Sequence, residues 1–272
     1  MQLGVNVPNF GPGTDPGMLR AWAQLVEGLG FDLLMVSDHV AATPDVAVRY
    51  PAPFYEPFTT LSWLAGITSR VRLGTTVLVL PYRHPLLVAR MATNLQQLSG
   101  GRLVLGVGVG WARQEFDALG VPFSARGRLT DEYLATLREA WREEADDRTA
   151  PIPVWVGGSS EAAIRRTIRF GDAWHPLRST LSQLRTVVSN HTLPAFAPRI
   201  ALRMTGAPID DPERLAGTGT IEQILDDLDQ LQQLGAESVV LDPYHGDPEA
   251  TRRPHEAWQA LTAVAAQRRN PS

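Results

Sequence analysis

Arg102 to Trp111 read RLVLGVGVGW, an apolar run whose far half sets Gly106, Gly108 and Gly110 two residues apart. Side chains alternate across a strand, so all three glycines turn the same way and leave one face bare. Glycine inside a strand weakens it, and three in register mean that something approaches the main chain closely. Two occupants fit: a planar ring lying against the backbone, or neighbouring chain packed tightly inside a barrel.

Outward from that run, short apolar stretches alternate with amphipathic ones along the whole chain, the pattern of repeated strand-helix units. Strands are expected at Leu3–Val7, Leu33–Val36, Val71–Leu80, Leu103–Val109, Val154–Val156, Ala173–His175, Ile200–Thr205 and Ser238–Leu241. The helices between them carry a 3.6-residue period. Ile221, Ile224, Leu225, Leu228, Leu231 and Leu234 share one face, with Glu222, Asp226, Asp227 and Asp229 elsewhere. Two more stripes, Leu19, Trp22, Ala23, Val26, Leu29 and Leu87, Met91, Leu95, Leu98, each run out at glycine, a usual helix stop. Eight such units in 272 residues fit a closed parallel α/β barrel. An open doubly wound sheet would show a glycine fingerprint after its first strand, where this chain has Pro8, Asn9 and Phe10. With no repeat, low-complexity stretch or linker-like composition, residues 1–272 are expected to form one domain.

Composition removes whole classes of chemistry. All 25 basic residues are arginine, so Schiff-base enzymes and Walker-type phosphate loops, which need a lysine nitrogen, drop out. The absence of cysteine excludes disulfides, thiolate zinc sites and thiol nucleophiles. No metal-ligand spacing and no G-x-S-x-G elbow occurs. A net charge of −4 with interspersed signs gives no nucleic-acid or membrane footprint, so the expected partner is a small molecule. There is no apolar run of spanning length, and MQLGVNVPNF does not read as a signal peptide, so a cytoplasmic protein is expected.

In such a barrel, chemistry belongs at the C-terminal ends of the strands. The adjacent Asp38 and His39 follow the second strand; an imidazole there can exchange a proton with a bound molecule, or the pair can simply tie down its loop. In PYRHP, Arg83 and His84 hold an anion or, more plainly, cap the next helix. His175 reads as a buried, hydrogen-bonded histidine rather than a catalytic one. His191, His245 and His255 carry no pattern. VWVGGSSEAA places Gly157, Gly158 and Ser159 between a strand and a helix, which is how main-chain N–H groups and a helix dipole hold a phosphate. Ser159 or Ser160 serves equally as an ordinary N-cap.

Four long stretches carry a resemblance. SDHV (37–40), RVRLGTTVLVLPYRHPLLVAR (70–90), LSGGRLVLGVGVGWARQEFDALGVPFSARGRLTDEYL (98–134) and PIPVWVGGSSEAAIRRTIRFGDAW (151–174) resemble the bacterial luciferase-like superfamily. Within it they look most like the coenzyme F420-dependent oxidoreductases of actinobacteria. The match runs from Met1 to about Trp174 and fades beyond.

The resemblance implies a (β/α)8 TIM barrel, usually a homodimer, that binds a flavin or the deazaflavin F420 at its C-terminal mouth. It implies that Gly108, Val109 and Gly110 lie beside the ring and that Thr76–Val77 is a non-prolyl cis peptide against the ring's other face. Asp38 and His39 would then contact the ring near its hydride-carrying edge, and Gly157, Gly158 and Ser159 would hold the phosphate. The chain departs from the sugar-phosphate dehydrogenases of that branch, which place a catalytic glutamate where Trp111 stands and use lysines on the substrate phosphate. A flat or apolar substrate is therefore expected, with Asn9, Tyr82, Trp111 and Trp174 as pocket walls. Only Glu143 to Pro151 separate a helix from the fifth strand where relatives carry a longer insertion, so the mouth is open or covered by a partner subunit. The expected activity is hydride transfer with F420, His39 and Asp38 serving catalysis. The alternatives are an FMN-dependent monooxygenase and a barrel that has lost its cofactor.

Overall fold

The computed structural model describes residues 1–144, 150–244 and 247–269; residues 145–149, between the expected helix and the fifth strand, and His245 lie outside them. The strands are β1 (Gln2–Asn6), β2 (Leu33–Val36), β3 (Arg72–Thr75), β4 (Leu78–Val79), β5 (Leu103–Gly108), β6 (Val154–Gly157), β7 (Ala173–His175), β8 (Arg199–Ala201), β9 (Arg203–Met204), β10 (Thr218–Gly219) and β11 (Ser238–Asp242). The principal sheet runs β7-β6-β5-β3-β2-β1-β11-β8, with β4 also on β5, and every pairing is parallel. Between β7 and β8 the seam is stitched by Trp174 N–H to Ala195 O, Ala197 N–H to Trp174 O, and Arg199 N–H to Pro176 O. Eight staves thus make a nearly closed barrel.

Around it lie α1 (Pro16–Leu29), α2 (Pro44–Ala47), α3 (Pro57–Ala65), α4 (Pro85–Leu98), α5 (Arg113–Ala118), α6 (Arg126–Glu143), α7 (Glu161–Phe170), α8 (Leu181–Asn190), α9 (Ile221–Gln233) and α10 (Pro254–Arg269). Local chemistry fixes their ends. Asp15 accepts from the Met18 N–H ahead of Pro16, and Gly30, at φ 83°, stops α1 after Leu19, Trp22, Ala23 and Val26 have been buried. None of the helices among the described residues is long and apolar enough to cross a membrane.

Four expectations need correction. The strand expected over Val71–Leu80 is two strands: β3 pairs with β2 and β5, β4 pairs with β5 alone, and the Thr76–Val77 peptide between them is cis. The one expected over Ile200–Thr205 keeps only β8 in the barrel, since β9 peels away to pair with β10. On α4 the buried stripe is Val88, Ala89, Ala92 and Leu95, while Leu87 and Leu98 are 52% and 72% exposed; the smaller residues let the helix sit close to the sheet. On α9, Asp227 is fully buried rather than solvated, forked to Arg214 at 2.6 and 2.7 Å and accepting from the Gly217 N–H.

Candidate functional site

A cavity of about 310 Å³ opens at the C-terminal ends of β2, β4, β5 and β6. It brings together ten of the residues expected there: Asp38, His39, Thr76, Val77, Gly108, Val109, Gly110, Trp111, Gly157 and Gly158. Ser37, Arg49, Tyr50, Val79, Leu177, Arg178 and Arg199 complete its lining.

The bare glycine face has an occupant of its own, and it is protein. A Cβ on Gly106 would lie 2.0 Å from the Thr75 carbonyl oxygen, one on Gly108 2.6 Å from Val77 Cγ2, and one on Gly157 2.9 Å from Val77 Cγ1. Close packing inside the barrel, not a ring, accounts for the direction these glycines face. Gly110 lies past the strand at φ 80° and would press on Val79 and Phe116. What Gly108, Val109 and Gly110 contribute to the cavity is an edge of the wall.

The Thr76–Val77 segment is held from two sides. Arg199 donates to the Thr76 carbonyl at 2.6 Å while gripping Asp242 at 2.7 and 3.0 Å. His175 Nε2 meets the Thr76 hydroxyl at 2.8 Å, and its Nδ1 lies 2.5 Å from the Ala197 carbonyl. A carbonyl only accepts, so Nδ1 carries the proton and Nε2 receives the hydroxyl's hydrogen. Burial, with the Arg199 charge adding to it, pushes the His175 imidazole down from 6.5 to about 4. His175 is therefore a structural acceptor at neutral pH.

A depressed histidine is neutral in the fold and protonates first when unfolded, so stability is full above pH 6.5 and falls as the pH drops towards 4. The loss over that window is about 3 kcal/mol. Denaturant unfolding at pH 7 and pH 4 should show it, and His175→Asn should flatten it; an unchanged pH dependence in the variant would refute the assignment.

Asp38 is buried and committed. Arg83 forks onto it at 2.7 and 2.8 Å, and the Val79 N–H donates at 2.9 Å. Burial pushes its carboxyl up from the ordinary value while Arg83 and Val79 pull against that rise. The carboxylate thus ties the loop after β2 to β4 at the cavity wall. The same contacts assign Arg83, while His84 accepts from the Leu86 N–H as the N-cap of α4.

His39 is different. Its Nδ1 lies 2.7 Å from Oε2 of Glu115, a carboxylate with no exposed surface. Oε2 also accepts from the Tyr82 hydroxyl at 2.8 Å, and Oε1 accepts the Val40 and Ala41 N–H groups at 2.5 and 3.0 Å. Burial works to raise Glu115, but the His39 bond and charge and the two N–H groups outweigh it and hold the carboxyl below its usual range. Burial and the Glu115 charge push the Tyr82 phenol far up, so it remains a donor. With an anionic acceptor at Nδ1, that nitrogen carries a proton. Nε2 has no hydrogen-bond partner among the described residues. The imidazole is flanked by Tyr50 at 4.8 Å and by Trp111, edge to face at 5.6 Å.

Four expected residues lie off this cavity. Asn9 is fully buried, its amide spent on Ser37 O, Tyr55 O and Ser37 N–H, so it clasps two loops. Tyr82 backs Glu115 and packs on Phe116. Trp174 donates to Gly158 O and stacks on Phe196, and with Ser159 it lines a second cavity of about 440 Å³ that shares Leu177 and Arg178 with the first. The N-cap of α7 is Ser160, which accepts from the Ala163 N–H.

Glu115, Arg199, Arg49 and Tyr50 escape a reading of the sequence. Glu115 had one signal, an acid beside Phe116 on the only buried face of α5.

A cofactor with a flat polar ring and an anionic tail fits what is present. Ser37 Oγ is buried on the cavity wall with no hydrogen-bond partner among the described residues. Gly158, at φ 112°, carries the chain from the cavity into the N-terminus of α7, whose free N–H groups favour an anion.

The profile of the luciferase-like monooxygenase family matches residues 1–192. An uncharacterised protein of Mycobacterium tuberculosis is 33% identical over 180 residues, 56% of this chain and 62% of that one, so the chain spans about three fifths of that relative. Among solved structures, the coenzyme F420-dependent tetrahydromethanopterin reductase of Methanopyrus kandleri superposes with a TM-score of 0.71 at 16% identity, covering 97% of each chain. The oxygenating constituent of 3,6-diketocamphane monooxygenase of Pseudomonas putida, in complex with FMN, gives 0.70 at 16% identity, again over 97% of each. At that identity the two likenesses speak for the fold. A barrel with its cavity at the strand ends, matched by the profile over most of its length, makes this chain a member of the luciferase-like monooxygenase family.

Proposed function

We propose that the chain is an F420-dependent oxidoreductase acting on a small, flat organic substrate. The observation that carries this reading is the His39–Glu115 pair: a proton-handling imidazole, fixed by a buried carboxylate, beside a cavity edged by main chain. Gly108–Gly110 and Val77 would border the ring, Ser37 Oγ would meet its polar edge, and Gly157, Gly158 and Arg178 would face its anionic tail. When bound, F420 supplies a hydride at ring carbon C5. Glu115 holds Nδ1–H of His39 and so points the Nε2 lone pair, or its proton, at the reacting group. Tyr50 and Trp111 flank the imidazole and would orient it towards the reacting group. A relative's likeness supports the same reading: the Methanopyrus kandleri reductase is named for F420.

The FMN-bound neighbour makes a monooxygenase the second reading. Titrating the purified protein with F420 and with FMN, following the quenching of ring fluorescence, separates them. Micromolar F420 binding with oxygen-independent hydride transfer is the expected result. FMN binding with oxygen-dependent product replaces the proposal by the second reading, and binding of neither ring sinks both.

A further inference from the structure

Arg49 lies at the cavity wall with its guanidinium carbon 5.2 Å over the Trp111 ring, among the same side chains that flank His39. It has no acidic partner among the described residues. The acids nearby are all engaged: Asp38 by Arg83, Glu115 by His39, and Asp45, four residues back, by the Thr43 hydroxyl and the Val46 and Gln114 N–H groups. Among the described residues lining the cavity, the one carboxylate is Asp38, and Arg83 neutralises it. A second arginine with no acidic partner among the described residues, Arg178, lines this cavity and also the one that holds Ser159. The proposed cofactor brings one anionic tail, which in that reading the Gly157–Gly158 turn and Arg178 would receive. The Arg49 charge is left over at the end where His39 works.

We infer that the substrate carries an anionic group, a carboxylate being the simplest, and that Arg49, at the cavity wall beside Trp111, selects for it. This deepens the proposed function and rests on its placement of the cofactor tail. An arginine held over an indole face keeps its N–H groups at the ring's edge, where a carboxylate can be bound in the plane.

The test compares 2-naphthoate with 2-naphthamide, isosteric flat probes that differ in charge, by isothermal calorimetry on the protein with and without its cofactor. Wild type should bind the acid about tenfold more tightly. Arg49→Met should reduce that ratio to below twofold and Arg49→Lys should keep part of it, while Arg178→Met leaves it standing. Equal binding of acid and amide by wild type overturns the inference, as does a preference that follows Arg178 instead of Arg49. Retention of F420 or FMN in the same samples reads the cofactor assignment separately, because the acid-to-amide ratio and its dependence on Arg49 are measured whether or not a ring is bound.

Discussion

Replacing His39 with alanine is expected to lower turnover by about 10²- to 10⁴-fold, the usual span for a positioned acid or base, while cofactor affinity stays within about threefold. The split follows from geometry. His39 is one of many contacts along the cavity, but among the described residues it is the imidazole there with a free ring nitrogen, since both nitrogens of His175 are engaged. Glu115 acts through it as a positioning residue. Glu115→Gln should depress kcat while KM holds, and Glu115→Asp should restore part of the loss. Turnover in His39→Ala equal to wild type, in protein that still binds the ring, removes His39 from the mechanism.

Arg83→Met is expected to destabilise the fold by about 3 to 5 kcal/mol, because it strands the Asp38 carboxylate without its fork. Asp38 has no exposed side-chain surface and Arg83 only 10%, so water cannot take the place of the lost bonds. Neutralising both ends with Asp38→Asn plus Arg83→Met should cost less than Arg83→Met alone, as the buried charge is then gone. Chemical denaturation of the three proteins at pH 7 measures this. A loss under about 1 kcal/mol in Arg83→Met would mean that Asp38 is not an anchored carboxylate. Since Val79 and Asp38 both line the cavity, the same variant should also weaken cofactor binding.

Much of this site is legible in the amino-acid sequence. The strand-end rule puts Asp38, His39, Trp111 and the Gly157–Gly158 turn at one mouth, and all of them line it. Roles are less legible than places. Asp38 and His39 are neighbours in sequence and look like one acid-base pair, yet their side chains part: one goes to Arg83 and Val79, the other to Glu115. Tyr82 and Trp174 look like pocket walls because aromatic residues near strand ends often are. Tyr82 instead turns its hydroxyl to the buried Glu115 carboxylate, while Trp174 donates its indole N–H to Gly158 O and walls the second cavity rather than the first. The triple glycine suggests room for a ligand, and the room is taken by Val77 and the Thr75 carbonyl.

Period and punctuation alone determined the eightfold alternation of strand and helix, the stop of α1 at Gly30 and most residues at the strand tips, because those depend on neighbours a few positions away. Tertiary structure decided who meets whom. His39 and Glu115 are 76 residues apart, and Arg199 reaches Thr76 across 123. Such partners are chosen by how the barrel closes and by which buried charges need company, and neither is written in any local window of the chain.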